Sequence, residues 1–406
     1  MNDKTRHLTE GVRKFSPLLQ AFEAGYSIEQ IRASVHQTLE PEFKNPAVLQ
    51  RYGIDLLTVE ATNISKVKLQ PETYALYAAC IEVHTSLLLR DPDRCAKICS
   101  YWEQEIGAGL HLYWNSARFE VDKSGLPLDE FAFEVLRNIG SLLEATMQPY
   151  LRELLHLSLQ GDSVSQTKEA IAALDFGGVV TRLEAGRLGN LLRPKPFDIA
   201  LNQWRNIAQH FAVKIDGTAI VCTYGRGGRH TVTFNRSELW NALASLMAMH
   251  LAIRTAHTIF FLDHGDALAV HCKGYARKDS DLQFQFLVGA ASQGFEVTDL
   301  SVTPECSAAH FQDVTGGEAT PRGIHASQFV VNLWEATRSA LLKITYSTKA
   351  GVTHLWAQAL AEDCERVAKG EKDMRYLAKV VKLSLTKPDE APSTERTSPR
   401  RTGRRL

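Results

Sequence analysis

One stretch fixes the class of fold open to this chain. From Phe131 to Leu159 the apolar residues Val135, Leu136, Ile139, Leu142, Leu143, Met147, Leu151, Leu154 and Leu155 recur at three- and four-residue intervals. That is the period of a helix burying one face, so a long amphipathic helix is predicted that needs other helices to cover it. Pro149 falls inside the run and is expected to kink or split it, because proline cannot donate to the helix ladder. Gly161-Asp162-Ser163 is expected to end it. The same period recurs in Leu18–Ile31 and in Pro71–Leu89, where Pro71 and Glu72 make a fitting N-terminus. It returns in Leu239–Phe261, with Trp240, Leu243, Met247 and Leu251 on one side. The chain therefore reads as mainly α.

A shorter stretch carries the chemistry. Phe197 to His210 reads FDIALNQWRNIAQH and follows Pro194 and Pro196. Pro196 suits the first position of a helix, and Asp198 then sits in the first turn, where it complements the dipole. Phe197, Ala200, Leu201, Trp204, Ile207, Ala208 and Phe211 form one buried stripe. The opposite face holds Asn202, Gln203, Arg205, Asn206, Gln209 and His210. A guanidinium can hold a phosphate and an imidazole can move a proton. On spacing alone, such a pair is as readily the polar outer face of a core helix; Arg32/His36, Arg152/His156 and Arg226/His230 are similar pairs that read as solvated faces.

The context of the pair points further. Arg205-Asn206-x-x-x-His210 resembles the R-N-x-x-x-H signature of the HEPN superfamily, over roughly residues 130 to 262. A two-stranded segment follows the motif (Ala219–Tyr224 and His230–Phe234, joined by Gly225–Gly228), and a last amphipathic helix starts near Ser237. The resemblance implies a HEPN-like helical bundle with a β-hairpin after the motif helix. It also implies an endoribonuclease that needs no metal or other cofactor and cleaves RNA, tRNA or mRNA among the candidates, by attack of the 2′-OH. Arg205 and His210 would be catalytic and Asn206 and Gln209 supporting. Two protomers would meet through the motif helix, and the biology implied is toxin or antiphage defence with an antitoxin or activator as partner. The alternative is a non-catalytic bundle that binds RNA, nucleotide or a partner.

Charge is unevenly spread. Thr181–Arg236 holds nine Lys/Arg against three Asp/Glu, a net of +6, and Thr386–Leu406 holds six against three, a net of +3. The chain sums to zero, so the remainder carries −9. A basic centre suits a polyanion, though ordinary charge fluctuation gives the same pattern. Arg182, Arg187 and Arg193 precede the motif, and Arg226 and Arg229 lie on the hairpin tip. These five are the candidate RNA contacts, or simply solubilising residues.

The seven cysteines include no Cys-x-x-Cys. With the polar, mixed-charge start MNDKTRHLTEGVRKF and no uninterrupted apolar window of about 18 residues, this gives the expectation of a cytoplasmic chain without a membrane span. His250, His257, His264 and His271 recur every seven residues, a spacing read as coincidence rather than as metal ligation, which favours three or four. Four regions are expected: a helical N-terminal region (1–125) for sensing or partner binding, the HEPN-like domain (126–262), a small α/β C-terminal region (263–385) and a disordered basic tail (386–406). Within the third, strands are expected at Leu282–Val288 and Phe295–Val302, helix over Ser327–Tyr346 and one or two helices over Thr353–Leu385. A further strand is expected at Gly53–Val59.

Overall fold

The computed structural model describes residues 12, 16–117, 125–161, 166–210, 212–274 and 279–385, so the expected disordered tail lies outside the described residues. The chain is mainly α with two small sheets. Residues 3–294 make one compact unit, and the chain from Phe295 onward belongs to another. The divisions expected at 125/126 and 262/263 therefore fall inside the first unit.

The first unit is organised on the helix Arg236–Asp263. Its start is fixed by a capping box: Glu238 N donates to Asn235 Oδ1 at 2.9 Å and Asn235 N donates to Glu238 Oε2 at 2.8 Å. It packs against helices Pro71–Arg90, Ile54–Lys68 and Leu128–Ser141. Leu239, Leu246, Ile253 and Phe260 point into the core, whereas Trp240 and Met247 are exposed. Of the expected stripe, Leu243 is buried and Leu251 half-buried, so only Trp240 and Met247 lie on the outer side. The helix carries apolar residues around most of its circumference and periodicity does not say which arc meets the neighbours. By length and composition it could cross a membrane, and most of its apolar window is buried inside the unit. Within it Arg254 pairs with the buried Glu60 at 2.7 Å.

The long predicted helix is present from Leu128 to Gly161, and its interruption takes the form of a π turn. Leu128–Ser141 runs into a wide turn, Leu142–Met147, and continues as Gln148–Gly161. The turn sits just ahead of Pro149, where the regular ladder lacks a donor. Gly109, on helix Pro92–Ala117, lies against this turn: a Cβ there would stand 2.8 Å from the Ala145 carbonyl oxygen. Two local expectations fail in this unit. Ile54–Val59 lies in helix Ile54–Lys68 with Gly53 at its N-cap, and Leu282–Val288 belongs to helix Asp279–Ser292. In the latter, Phe286, Leu287, Ala290 and Ala291 are buried, a helical spacing that outweighs the short alternation.

The hairpin after the motif is part of a three-stranded antiparallel sheet: β1 (Val213–Asp216), β2 (Ala219–Tyr224) and β3 (His230–Phe234). Cys222 is opposite both Val213 and Val232.

In the second unit β4 (Phe295–Val302), β5 (Cys306–Asp313), β6 (Leu341–Ser347), β7 (Thr353–Leu360) and β8 (Lys382–Ser384) lie in sequence order. Helices Ala319–Ser327 and Val330–Thr337 cross from β5 to β6, which makes that pair parallel and the others antiparallel. The helix expected over Ser327–Tyr346 therefore stops at Thr337. Arg338 caps it at φ 57, and the chain turns into β6. Thr353–Leu385 likewise opens as strand β7 and yields helices only at Ala361–Ala368 and Leu377–Val380.

Candidate functional site

The motif helix runs from Leu201 to His210. It starts later than Pro196 suggests, because Asp198 adopts φ 53, outside the right-handed helical region. Lys195 instead pairs with Asp198 at 2.8 Å ahead of the helix. Pro196 is therefore not the first helical residue, and Asp198 is not in the first turn. Leu201, Trp204, Ile207 and Ala208 are buried as the period requires. Phe211 lies outside the described residues. Trp204 packs against Phe197 edge-on at 5.9 Å and stacks on Phe234 of β3 at 5.7 Å between ring centroids. The stripe thus fastens the helix to the sheet, and the polar face is left to turn outward.

That face is met by a carboxylate no local motif announces. Glu144, in the π turn, accepts from Arg205 Nε at 2.5 Å through Oε1 and from Gln209 Nε2 at 2.7 Å through Oε2. Arg205 and Gln209 are one helical turn apart, so a single carboxylate spans both. Nη1 of Arg205 also donates to Asn206 Oδ1 at 3.4 Å. Asn206 is therefore turned toward the guanidinium. Gly140 makes room for the clamp: a Cβ there would come within 3.3 Å of Gln209 Nε2.

His210 is the last residue of the helix, is exposed and has no hydrogen-bond or ion-pair partner among the described residues. It stands five positions after Arg205, which corresponds to about 140° around the helix and about 7.5 Å along it. The two groups flank the Asn206–Gln209 strip and do not touch. A ligand lying along that strip can meet the Nη edge of the guanidinium at one end and the imidazole at the other.

The other candidate residues divide. Arg226 and Arg229 are exposed, and the hairpin tip that carries them is tied to the motif helix, since Gly225 N donates to Gln203 Oε1 at 3.0 Å. Arg182 is exposed on helix Phe176–Ala185, which packs on the motif helix. Arg193 donates to Glu184 at 2.9 Å, and Arg187 donates to Ser86 Oγ at 2.8 Å and lies 3.9 Å from Glu82. Those two are committed to the fold and are less suited to hold a polyanion.

The histidine series resolves into unlike environments. His257 approaches Glu153 Oε2 at 3.4 Å and His84 approaches the same oxygen at 3.5 Å, with Glu153 fully buried. Burial pushes the Glu153 carboxyl up, and the two imidazoles, His257 before His84, outweigh it and bring it down to about 2. His271 pairs with Asp93 at 2.7 Å, and His250 is buried against Tyr150. Among the described residues no group of three or more His, Cys, Asp or Glu side chains is arranged to hold a metal ion.

Comparison with protein-family models, curated proteins and solved structures found no match.

Proposed function

We propose that this chain is an endoribonuclease of the HEPN type whose site is Arg205 and His210, with Arg205 positioned by Glu144 and Gln209 supporting that carboxylate. The observation that carries the reading is the contrast within one helix face. The guanidinium is oriented by a carboxylate and an amide, while the imidazole five positions on is exposed and has no partner among the described residues. An imidazole held by no structural contact is open to a ligand.

The chemistry follows from those groups. The 2′-OH of RNA attacks the adjacent phosphorus and gives its proton to an imidazole base. The P–O5′ bond breaks, and the leaving 5′-oxygen takes a proton from an acid. One imidazole serves one role per step, so a two-fold dimer meeting along the motif helix supplies both, with His210 of the partner subunit as the second. The Nη edge of Arg205 neutralises charge developing on the non-bridging phosphate oxygens. Products are a 2′,3′-cyclic phosphate and a 5′-hydroxyl. The hairpin-tip arginines Arg226 and Arg229 extend the contact along the backbone as sequence-independent phosphate ligands. A role in toxin or antiphage defence in the cytoplasm, held in check by an antitoxin or triggered by an activator, fits such an activity.

A second reading, a bundle that binds RNA or nucleotide without turnover, draws on the same clamp, because Glu144 already offsets the Arg205 charge. Cleavage of total RNA and tRNA in EDTA by wild type, Arg205→Ala and His210→Ala separates the two. Cleavage by wild type alone, leaving cyclic phosphates, supports the nuclease. RNA binding by wild type without any cleavage, weakened in Arg205→Ala, supports the binding module.

A further inference from the structure

A pocket of about 410 Å³ lies between helices Pro92–Ala117 and Gln148–Gly161 and the segment Gln166–Glu169. Its size is within the range of small-molecule sites. The first helix contributes Arg94, Lys97, Ile98 and Tyr101, which at that spacing share one face. The second contributes His156 and Gln160, one turn apart, and the segment adds Lys168.

The floor is buried and hydrogen-bonded. His156 is buried, accepts from Trp102 Nε1 through Nδ1 at 3.3 Å, and lies 3.1 Å from the Gln166 carbonyl through Nε2. The indole N–H can only donate, so the proton of His156 is on Nε2. Burial, followed by the Arg94 charge, pushes its pKa down despite the Gln166 carbonyl. Gln160, also buried, donates to the same carbonyl at 2.7 Å and accepts from Arg94. That contact orients the guanidinium at the pocket.

The walls are cationic. Arg94, Lys97 and Lys168 face the space against one lining carboxylate, Glu169. The Glu169 carboxyl is itself held low by hydrogen bonds from its own backbone N–H and from Thr167, so it is turned to the helix start. Lys168 sits over the Trp102 ring at 5.4 Å and is 3.4 Å from Glu105. Lys97 is exposed and has no ion-pair partner among the described residues. Tyr101, half-buried and stacked on His156 at 6.0 Å between centroids, gives an aromatic side beside Ile98.

We propose that this pocket binds a phosphate monoester of mononucleotide size, with the phosphate between Arg94 and Lys97 and the base along Tyr101 and Ile98. A guanidinium and a free ammonium group match a phosphate, and the aromatic side suits a base. The site is built from residues apart from Arg205 and His210, so its occupancy does not depend on the ribonuclease reading.

The test is isothermal titration calorimetry of the full chain at low salt with AMP, inorganic phosphate and adenosine, on wild type, Lys97→Glu, Lys97→Gln and Tyr101→Leu. Lys97 is exposed, so its variants are expected to keep the wild-type melting temperature. AMP is expected to bind wild type, to weaken at least tenfold in Lys97→Glu and by less in Lys97→Gln, and to outcompete adenosine. Tyr101→Leu is expected to weaken AMP while leaving phosphate binding unchanged. Absence of AMP binding, undiminished AMP binding in both Lys97 variants, or equal affinity for AMP and adenosine would overturn the proposal. Phosphate binding as tightly as AMP would overturn the nucleotide part of it.

Discussion

Glu153 offers the sharpest test of how the helical unit is held together. Its carboxylate is fully buried between His84 and His257, at 3.5 and 3.4 Å. His84 Nδ1 lies 2.8 Å from the Cys80 carbonyl and must donate to it, so a neutral His84 turns a lone pair toward Glu153. The pair is attractive only with a second proton on the ring. The perturbation to make is Glu153→Leu, which keeps bulk and removes charge. Gln is the poorer choice, because its amide can donate to His84 Nε2. Bringing a carboxyl from its ordinary 4.5 to about 2 corresponds to about 3 kcal/mol of folding stability. For a unit this large that lowers Tm by about 6 °C. The sign with pH is definite. A carboxyl whose folded pKa is depressed stabilises above its unfolded value, and that contribution disappears as pH falls through the folded value. The wild type should therefore exceed the variant most clearly near pH 5, and the two melting curves should converge as pH falls from about 4.5 toward 2. Thermal melts of both proteins over that range make the measurement. Equal stability near pH 5, or a gap that does not narrow on acidification, would refute the assignment of Glu153 as a buried anion held by two imidazoles.

Three further outcomes are expected. Glu144→Gln should keep the fold, because the ion pair with Arg205 is about one-third exposed and contributes at most about 1 kcal/mol, yet it should lower RNA cleavage by roughly tenfold or more through lost orientation of Arg205; unchanged cleavage removes Glu144 from the site. Gly109→Ala should displace the π turn, since its Cβ meets the Ala145 carbonyl at 2.8 Å, and so should lower both Tm and cleavage; a variant with wild-type Tm would show that the turn yields easily. Arg226→Ala with Arg229→Ala should weaken RNA binding across sequences and reduce the magnitude of the salt-dependence slope by up to about 2, read by fluorescence anisotropy at several salt concentrations.

Long-range partnership, more than local propensity, separates what was legible in the sequence from what was not. Helix Leu128–Gly161 and the strands Ala219–Tyr224 and His230–Phe234 could be read because their periods are long or bounded by turn glycines. Leu282–Val288 misled because seven residues of alternation cannot be told from a helix when Phe286, Leu287, Ala290 and Ala291 turn inward together. Strands β6 and β7 were missed for the reverse reason. Their Leu- and Ala-containing runs suit a helix, and only pairing with β5 and with each other makes them strands. Arg205 and His210 could be named from spacing, but Glu144 could not. It is an ordinary acidic residue in an amphipathic helix until the π turn aims it at a helix 61 residues away in sequence. The same holds for Glu153, whose two imidazoles come from different helices. Sequence spacing also could not separate Arg193 and Arg187, tied to neighbours, from Arg226 and Arg229.

The central claim is that His210 moves the proton of an RNA 2′-hydroxyl. A short fluorescent RNA of mixed sequence and its 2′-O-methyl counterpart, incubated in EDTA with wild type and with His210→Ala, measure it most directly. The account expects wild type to cut the RNA to 2′,3′-cyclic phosphate ends, to leave the 2′-O-methyl strand intact, and to lose at least a hundredfold in rate with His210→Ala. Cleavage of both strands by wild type, or undiminished cleavage by His210→Ala, would contradict it.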